Sequence, residues 1–172
     1  GWQRVYYIAD HSATFVMNVD LETGGELTTP PRMVVQGVTL EIEGVVNGLE
    51  ELAVGEGGDV HFYDTGRSSN RSAGGYALQA FVMDGITNGG VVNALVTMGH
   101  GVSLEAQSLQ LVHGTLEVHG QVSLEAQLLN LTAGARIDGT GNSNYGVRAG
   151  RQRCSSKDPS GLPSFQRTGG VT

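Results

Sequence analysis

The chain has 172 residues, 39% of them hydrophobic and 6% aromatic, with 27 glycines and only 4 prolines. That is enough apolar material for one domain with a sizeable core, and glycines without a three-residue period exclude a collagen-like chain. The net charge of −7 divides unevenly, because residues 1–147 hold 5 Lys and Arg against 16 Asp and Glu, and such an acidic body repels nucleic-acid phosphates.

In chain order, Val5–Ile8 and Thr14–Val19 read as strands around a turn at Asp10-His11-Ser12. A second turn follows at Glu22–Glu26, and Pro30-Pro31 interrupts the next segment, because proline cannot donate to a sheet ladder. Val38-Thr39-Leu40-Glu41-Ile42-Glu43 alternates apolar with polar residues, as a half-buried strand does. A longer turn is expected around Asn47–Glu50, where a short helical turn over Leu49–Val54 would compete, and Leu52–Val54 and Val60–Tyr63 are further strands. Residues 64–75 are polar, small and rich in turn formers, and therefore read as a loop. Strands resume at Tyr76–Met83, Val91-Val92 and Leu95-Val96.

The clearest pattern comes next. Val102-Ser103-Leu104-Glu105-Ala106-Gln107 returns unchanged as Val122-Ser123-Leu124-Glu125-Ala126-Gln127, and Leu109-x-Leu111-x-x-Gly114 returns as Leu129-x-Leu131-x-x-Gly134. Each copy is too short to bury its own apolar face, so stacking on a neighbour is required. With like residues at like phase, Leu104 should lie on Leu124, and Glu105 on Glu125. Val38–Glu43 reads as a third relative of the hexapeptide, and Leu52-x-Val54-x-x-Gly57 as a relative of the second half.

The predicted fold is all-β, a right-handed parallel β-helix or solenoid with coils of about 20 residues. It occupies residues 1–147, and residues 148–172 follow as a basic Gly/Ser-rich loop or tail, with loop expected from 142 onward. The predicted core is Val38, Leu40, Ile42, Leu52, Val54, Val60, Phe62, Val102, Leu104, Leu109, Leu111, Leu116, Val118, Val122, Leu124, Leu129, Leu131 and Ile137.

From Ala73 to Tyr145 the chain runs through Ala-Gly-Gly-Tyr, Asn-Gly-Gly-Val-Val, Gly-Val-Ser-Leu-Glu-Ala, Leu-x-Leu-x-x-Gly and Arg-Ile-Asp-Gly-Thr-Gly. This series resembles the pectin-lyase-like β-helix modules of large extracellular surface proteins, the fibrocystin-like proteins among them. The resemblance implies a non-catalytic structural or adhesive segment of a larger cell-surface protein. Its partners would be other segments of the same or neighbouring surface proteins, glycans, or further copies of the chain. The alternative is a carbohydrate-binding or polysaccharide-cleaving β-helix that uses the outward glutamates or the 64–75 loop.

Candidate sites are few. Glu105 and Glu125 should form an outward carboxylate ladder, but two carboxylates offer fewer oxygens than calcium takes. His100, His113 and His119 lack the spacing of a zinc site. Aspartates beside Gly or Thr are explained by turn chemistry. No catalytic residues, metal site or cofactor are predicted. Asn70-Arg-Ser72 and Asn130-Leu-Thr132 are candidate glycosylation sequons that direct the reading toward an extracellular or cell-surface setting. The start at Gly1-Trp2 suggests a processed product or an excerpt, and no apolar run reaches the ~20 residues of a membrane span. Cys154 stands apart from any other ligand or thiol.

Overall fold

The computed structural model describes the backbone of residues 6–9, 11–87, 90–91, 93–139 and 144–154, and the side chains of 11–85 and 93–139. The strands are β1 (Tyr6–Ala9), β2 (Ser12–Phe15), β3 (Val19–Leu21), β4 (Glu26–Thr28), β5 (Arg32–Val35) and β6 (Thr39–Ile42). Then come β7 (Val45–Asn47), β8 (Glu51–Val54), β9 (Asp59–Phe62), β10 (Arg67–Ser68), β11 (Gly75–Asp84) and β12 (Ile86–Thr87). The last are β13 (Gly90–Val91), β14 (Leu95–Met98), β15 (Ser103–Val118), β16 (Gln121–Asp138) and β17 (Asn144–Cys154). Among the described residues no helix is long and apolar enough to cross a membrane.

Nine of these strands form a parallel wall in the order β2-β5-β8-β11-β15-β14-β9-β6-β3. Its two ends, β2 and β3, are consecutive in the chain and joined by Val16-Met17-Asn18, so the wall returns to where it began. The architecture is therefore a near-closed parallel β-barrel, and the expected open-ended β-helix of even coils is corrected. β1 adds an antiparallel strand beside β2, with His11 between them at φ 64°. β16 and β17 extend the sheet beyond β15. A smaller parallel sheet, β10-β7-β4, lies off this wall, and β12 pairs antiparallel with β13.

The expected local pairing is present inside this different whole. Leu104 stands beside Leu124 and Glu105 beside Glu125, in parallel register. The uniform step of about 20 residues is what fails. Phe81 pairs with Leu109, 28 residues on, and Val60 with Val96, 36 residues on. The hexapeptide kinship also stops short of Val38–Glu43. Leu40 pairs with Val19 and Val60, on the other arm of the wall from Leu104. By contrast, Leu52 lies beside Phe81, which lies beside Leu109, so the Leu-x-Val echo did mark one row.

What turns the wall back on itself is β15. Its first half pairs with β11 and its second half with β14, with a register shift between Leu111 and His113. Gly114, at φ 135°, sits in this bend, and a Cβ there would run into the Ala94 carbonyl oxygen. Only glycine combines that backbone angle with so close an approach.

Alternation fills the interior. Leu104, Leu109, Leu111 and Leu116 on β15 are buried, as are Leu124, Leu129, Leu131 and Ile137 on β16. Of the predicted core only Val38 is partly buried, and Met33, Val35, Tyr76, Phe81, Met83, Val96 and Met98 join it. Phe62 meets Tyr76 edge to face, with ring centroids 4.7 Å apart, which adds directional contact to apolar burial. Residues 144–154, expected as loop, form β17 parallel to β16, and the rest of the 148–172 segment lies outside the described residues.

Leu104 is 1% exposed, so Leu104→Ala removes buried methyls that the surrounding strands cannot collapse to replace. Chemical denaturation should show a loss of about 2–5 kcal/mol. A midpoint equal to that of the wild type would mean that this side chain is not in the core.

Candidate functional site

A groove of about 860 Å³ runs along the outside of the wall, next to the small sheet. Along its side stand Val46, Gly48, Leu49 and Glu50 together with the Ser68–Arg71 turn, and its floor is Ala77–Gln79, Glu105–Gln107 and Glu125–Gln127. The floor belongs to three strands lying in parallel register, so chemically like residues form rows across them. One row is Glu105 and Glu125. The other is Gln79, Gln107 and Gln127, all three exposed. Adjacent parallel strands space such rows by about 4.8 Å. Between the rows lie Leu78, Ala106 and Ala126, whose side chains alternation turns inward and buries.

The side of the groove is fixed to this floor. Ser68 pairs with Val46 in the small sheet, and its hydroxyl oxygen accepts the Ala77 N–H at 3.0 Å. The turn closes where the Arg71 N–H donates to the Ser68 carbonyl at 3.0 Å, and the Arg67 guanidinium donates to the Arg71 carbonyl at 2.8 Å. From the turn, the Arg71 guanidinium reaches down to the Glu105 carboxylate and forms an ion pair. Just behind the turn, the Tyr76 hydroxyl donates to the Tyr63 carbonyl at 2.7 Å and contacts that of Ile42 at 3.1 Å. Gly66 crosses directly over this hydroxyl, where a Cβ would collide with both the Tyr76 oxygen and the Ile42 carbonyl.

The groove thus joins two features that the sequence presents separately, the glutamate pair and the 64–75 segment. Glu41, by contrast, lies on the other arm, in register with Asp20 and His61. There the Tyr63 hydroxyl donates to Glu41 at 3.2 Å, and burial, then the Glu41 charge, raise the Tyr63 hydroxyl above its ordinary range. Asn70 is exposed in the turn on the groove's rim. Asn130 lies half-buried within β16, in register between Gln110 and Arg153. Gln107 on Gln127 follows from the repeat, like residue on like, and the part that sequence reasoning missed is Gln79, which carries the amide row to a third strand. Its signal is Leu78-Gln79-Ala80-Phe81, which shares the phase of Ala106-Gln107-Ser108-Leu109 and Ala126-Gln127-Leu128-Leu129.

The histidines remain apart. His100 Nδ1 accepts the Gln121 N–H at 2.9 Å, His113 lies 3.5 Å from Asp84, and His119 lies 3.6 Å from Glu117. Among the described residues no three His, Cys, Asp or Glu side chains gather where they could hold a metal ion. The side chain of Cys154 lies outside the described residues. Chemically, the lining offers carboxylate acceptors and amides that both donate and accept, with one guanidinium and no histidine or cysteine among the described residues.

Comparison with protein-family models, with curated proteins and with solved structures finds no match for this chain. With the barrel architecture, this corrects the expected likeness to fibrocystin-like β-helix modules. The structural or adhesive β-helix role, and the carbohydrate-active alternative that rested on the same fold, are corrected with it.

Burial raises the Tyr76 hydroxyl well above the ordinary tyrosine value of 10.0. The fold therefore favours the neutral phenol. Its contribution is complete below about pH 10 and declines as pH rises past it, because the unfolded chain then releases a proton that the folded chain retains. Tyr76→Phe should cost about 1 kcal/mol at neutral pH through the lost hydrogen bond. It should also flatten the alkaline fall in stability, followed by urea unfolding from pH 8 to 11. An equally steep fall in the variant would exclude Tyr76 as its source.

Proposed function

We propose that this domain is a non-catalytic binding module whose groove holds an extended, basic polypeptide segment of a neighbouring protein. The observation that carries this reading is the floor, where a carboxylate row and an amide row lie side by side. An extended peptide presents one backbone donor and one acceptor per residue, and a glutamine amide matches both. Among the described side chains the lining holds Glu50, Glu105 and Glu125 against Arg71, a balance that favours lysine and arginine side chains on the partner. The same sign of charge over the whole body disfavours nucleic acid.

The test is fluorescence anisotropy with a fluorescein-labelled octapeptide of alternating lysine and serine, compared with its glutamate–serine counterpart. Binding of the first alone is expected, weakening as salt is raised, with Glu125→Gln reducing affinity about two- to fivefold. Equal binding of both peptides, or of neither, would overturn the reading.

An extracellular setting is part of the proposal, supported by the sequon Asn70-Arg71-Ser72 on an exposed turn. Produced through a eukaryotic secretory pathway, the protein should carry a glycan at Asn70, visible as a mass shift that Asn70→Gln abolishes. An unmodified Asn70 in secreted protein would count against it.

A further inference from the structure

We propose that Arg71 is a built-in competitor for the groove: its guanidinium pairs with the Glu105 carboxylate and must swing away when a cationic side chain of the partner takes that place. The inference rests on the groove being the binding site and adds how that site is regulated. Three observations carry it. Arg71 belongs to the Ser68–Arg71 turn on the groove's side, yet its charged end is paired with a floor residue on a strand 34 positions further along the chain. The pair is open to water, with the two side chains 40% and 46% exposed, so its opening leaves no charge buried. The turn's backbone does not depend on that pair. It is held by the Ser68 carbonyl, by the Arg67 guanidinium on the Arg71 carbonyl, and by the Ser68 hydroxyl on Ala77.

A guanidinium so placed does two things. It lowers the negative charge that the floor presents, and it occupies one carboxylate oxygen of Glu105 with the chemistry a basic partner would bring. A partner then gains at Glu105 only the difference between its own cation and Arg71. Neutral or acidic chains, which cannot replace the guanidinium, meet a carboxylate that is already paired. Arg71 is in this sense a specificity filter as well as a competitor.

The experiment measures the lysine–serine octapeptide against wild type, Arg71→Ala, Arg71→Lys, Glu105→Gln and the Arg71→Ala/Glu105→Gln double variant. Thermal melts confirm that each is folded. Arg71→Ala should bind more tightly, by up to about fivefold, the scale of an exposed ion pair. Arg71→Lys, which keeps a cation but not the planar fork, should fall between the two. The gain should vanish in the Glu105→Gln background, a coupling that a purely structural arginine would not show. Wild type binding with Arg71→Ala equal or weaker would overturn the competitor role while leaving the groove as the binding site. Binding by neither protein would overturn both. Should Arg71→Ala fail to fold, Arg71→Lys carries the same test, and affinity equal to or below that of wild type overturns the competitor role.

Discussion

One strand that pairs on two arms of the wall is the constraint on which the rest of this protein depends. β15 runs sixteen residues from Ser103 to Val118, giving its first half to β11 and its second to β14. Because both halves belong to one covalent segment, the two arms face each other across a single core. Leu109 on one half and Leu116 on the other are both buried in it. Parallel pairing keeps like residues at like height, and the bend at Gly114 sets where the arms diverge. Without that bend, the same residues would make a flat sheet with one apolar face in water, a costly arrangement.

The groove is a consequence of the same pairing. Register between β11, β15 and β16 turns isolated glutamates and glutamines into rows, and the alternation that buries Leu104 and Ala106 projects Glu105 and Gln107 outward. The small sheet adds the side by holding Ser68 beside Val46. Site and core are therefore coupled. A slip of one residue in β15 would invert its faces, driving the carboxylates into the interior and the leucines onto the groove floor.

Part of this was legible in the sequence, for a definable reason. Val102–Gln107 and Val122–Gln127 are identical, and they lie on adjacent strands whose side chains meet like neighbours, so identity reported contact directly. The alternation also marked the core, because buried positions need apolar residues wherever the strand lies. Alternation carries no information about which arm a strand joins. Val38–Glu43 has the pattern of Val102–Gln107 yet pairs with β3 and β9. Nor does it reveal curvature, since the step of 20 residues between β15 and β16 becomes 36 between Val60 and Val96, where the chain also makes β10 to β13. The two glutamates were visible, but the groove was not, because its side comes from residues far away in the chain. Gln107 and Gln127 were visible in the repeat, whereas Gln79 holds the amide position in a segment whose other residues had diverged, which hid its place in the row.

The most direct measurement of the account is nuclear Overhauser spectroscopy on uniformly labelled protein, reading backbone contacts across β15. The account predicts contacts between the strands of Phe81 and Leu109 and, in the same sample, between those of Val96 and Leu116. Contacts at one half of β15 and not the other, or antiparallel patterns at either, would contradict a wall that turns on this strand.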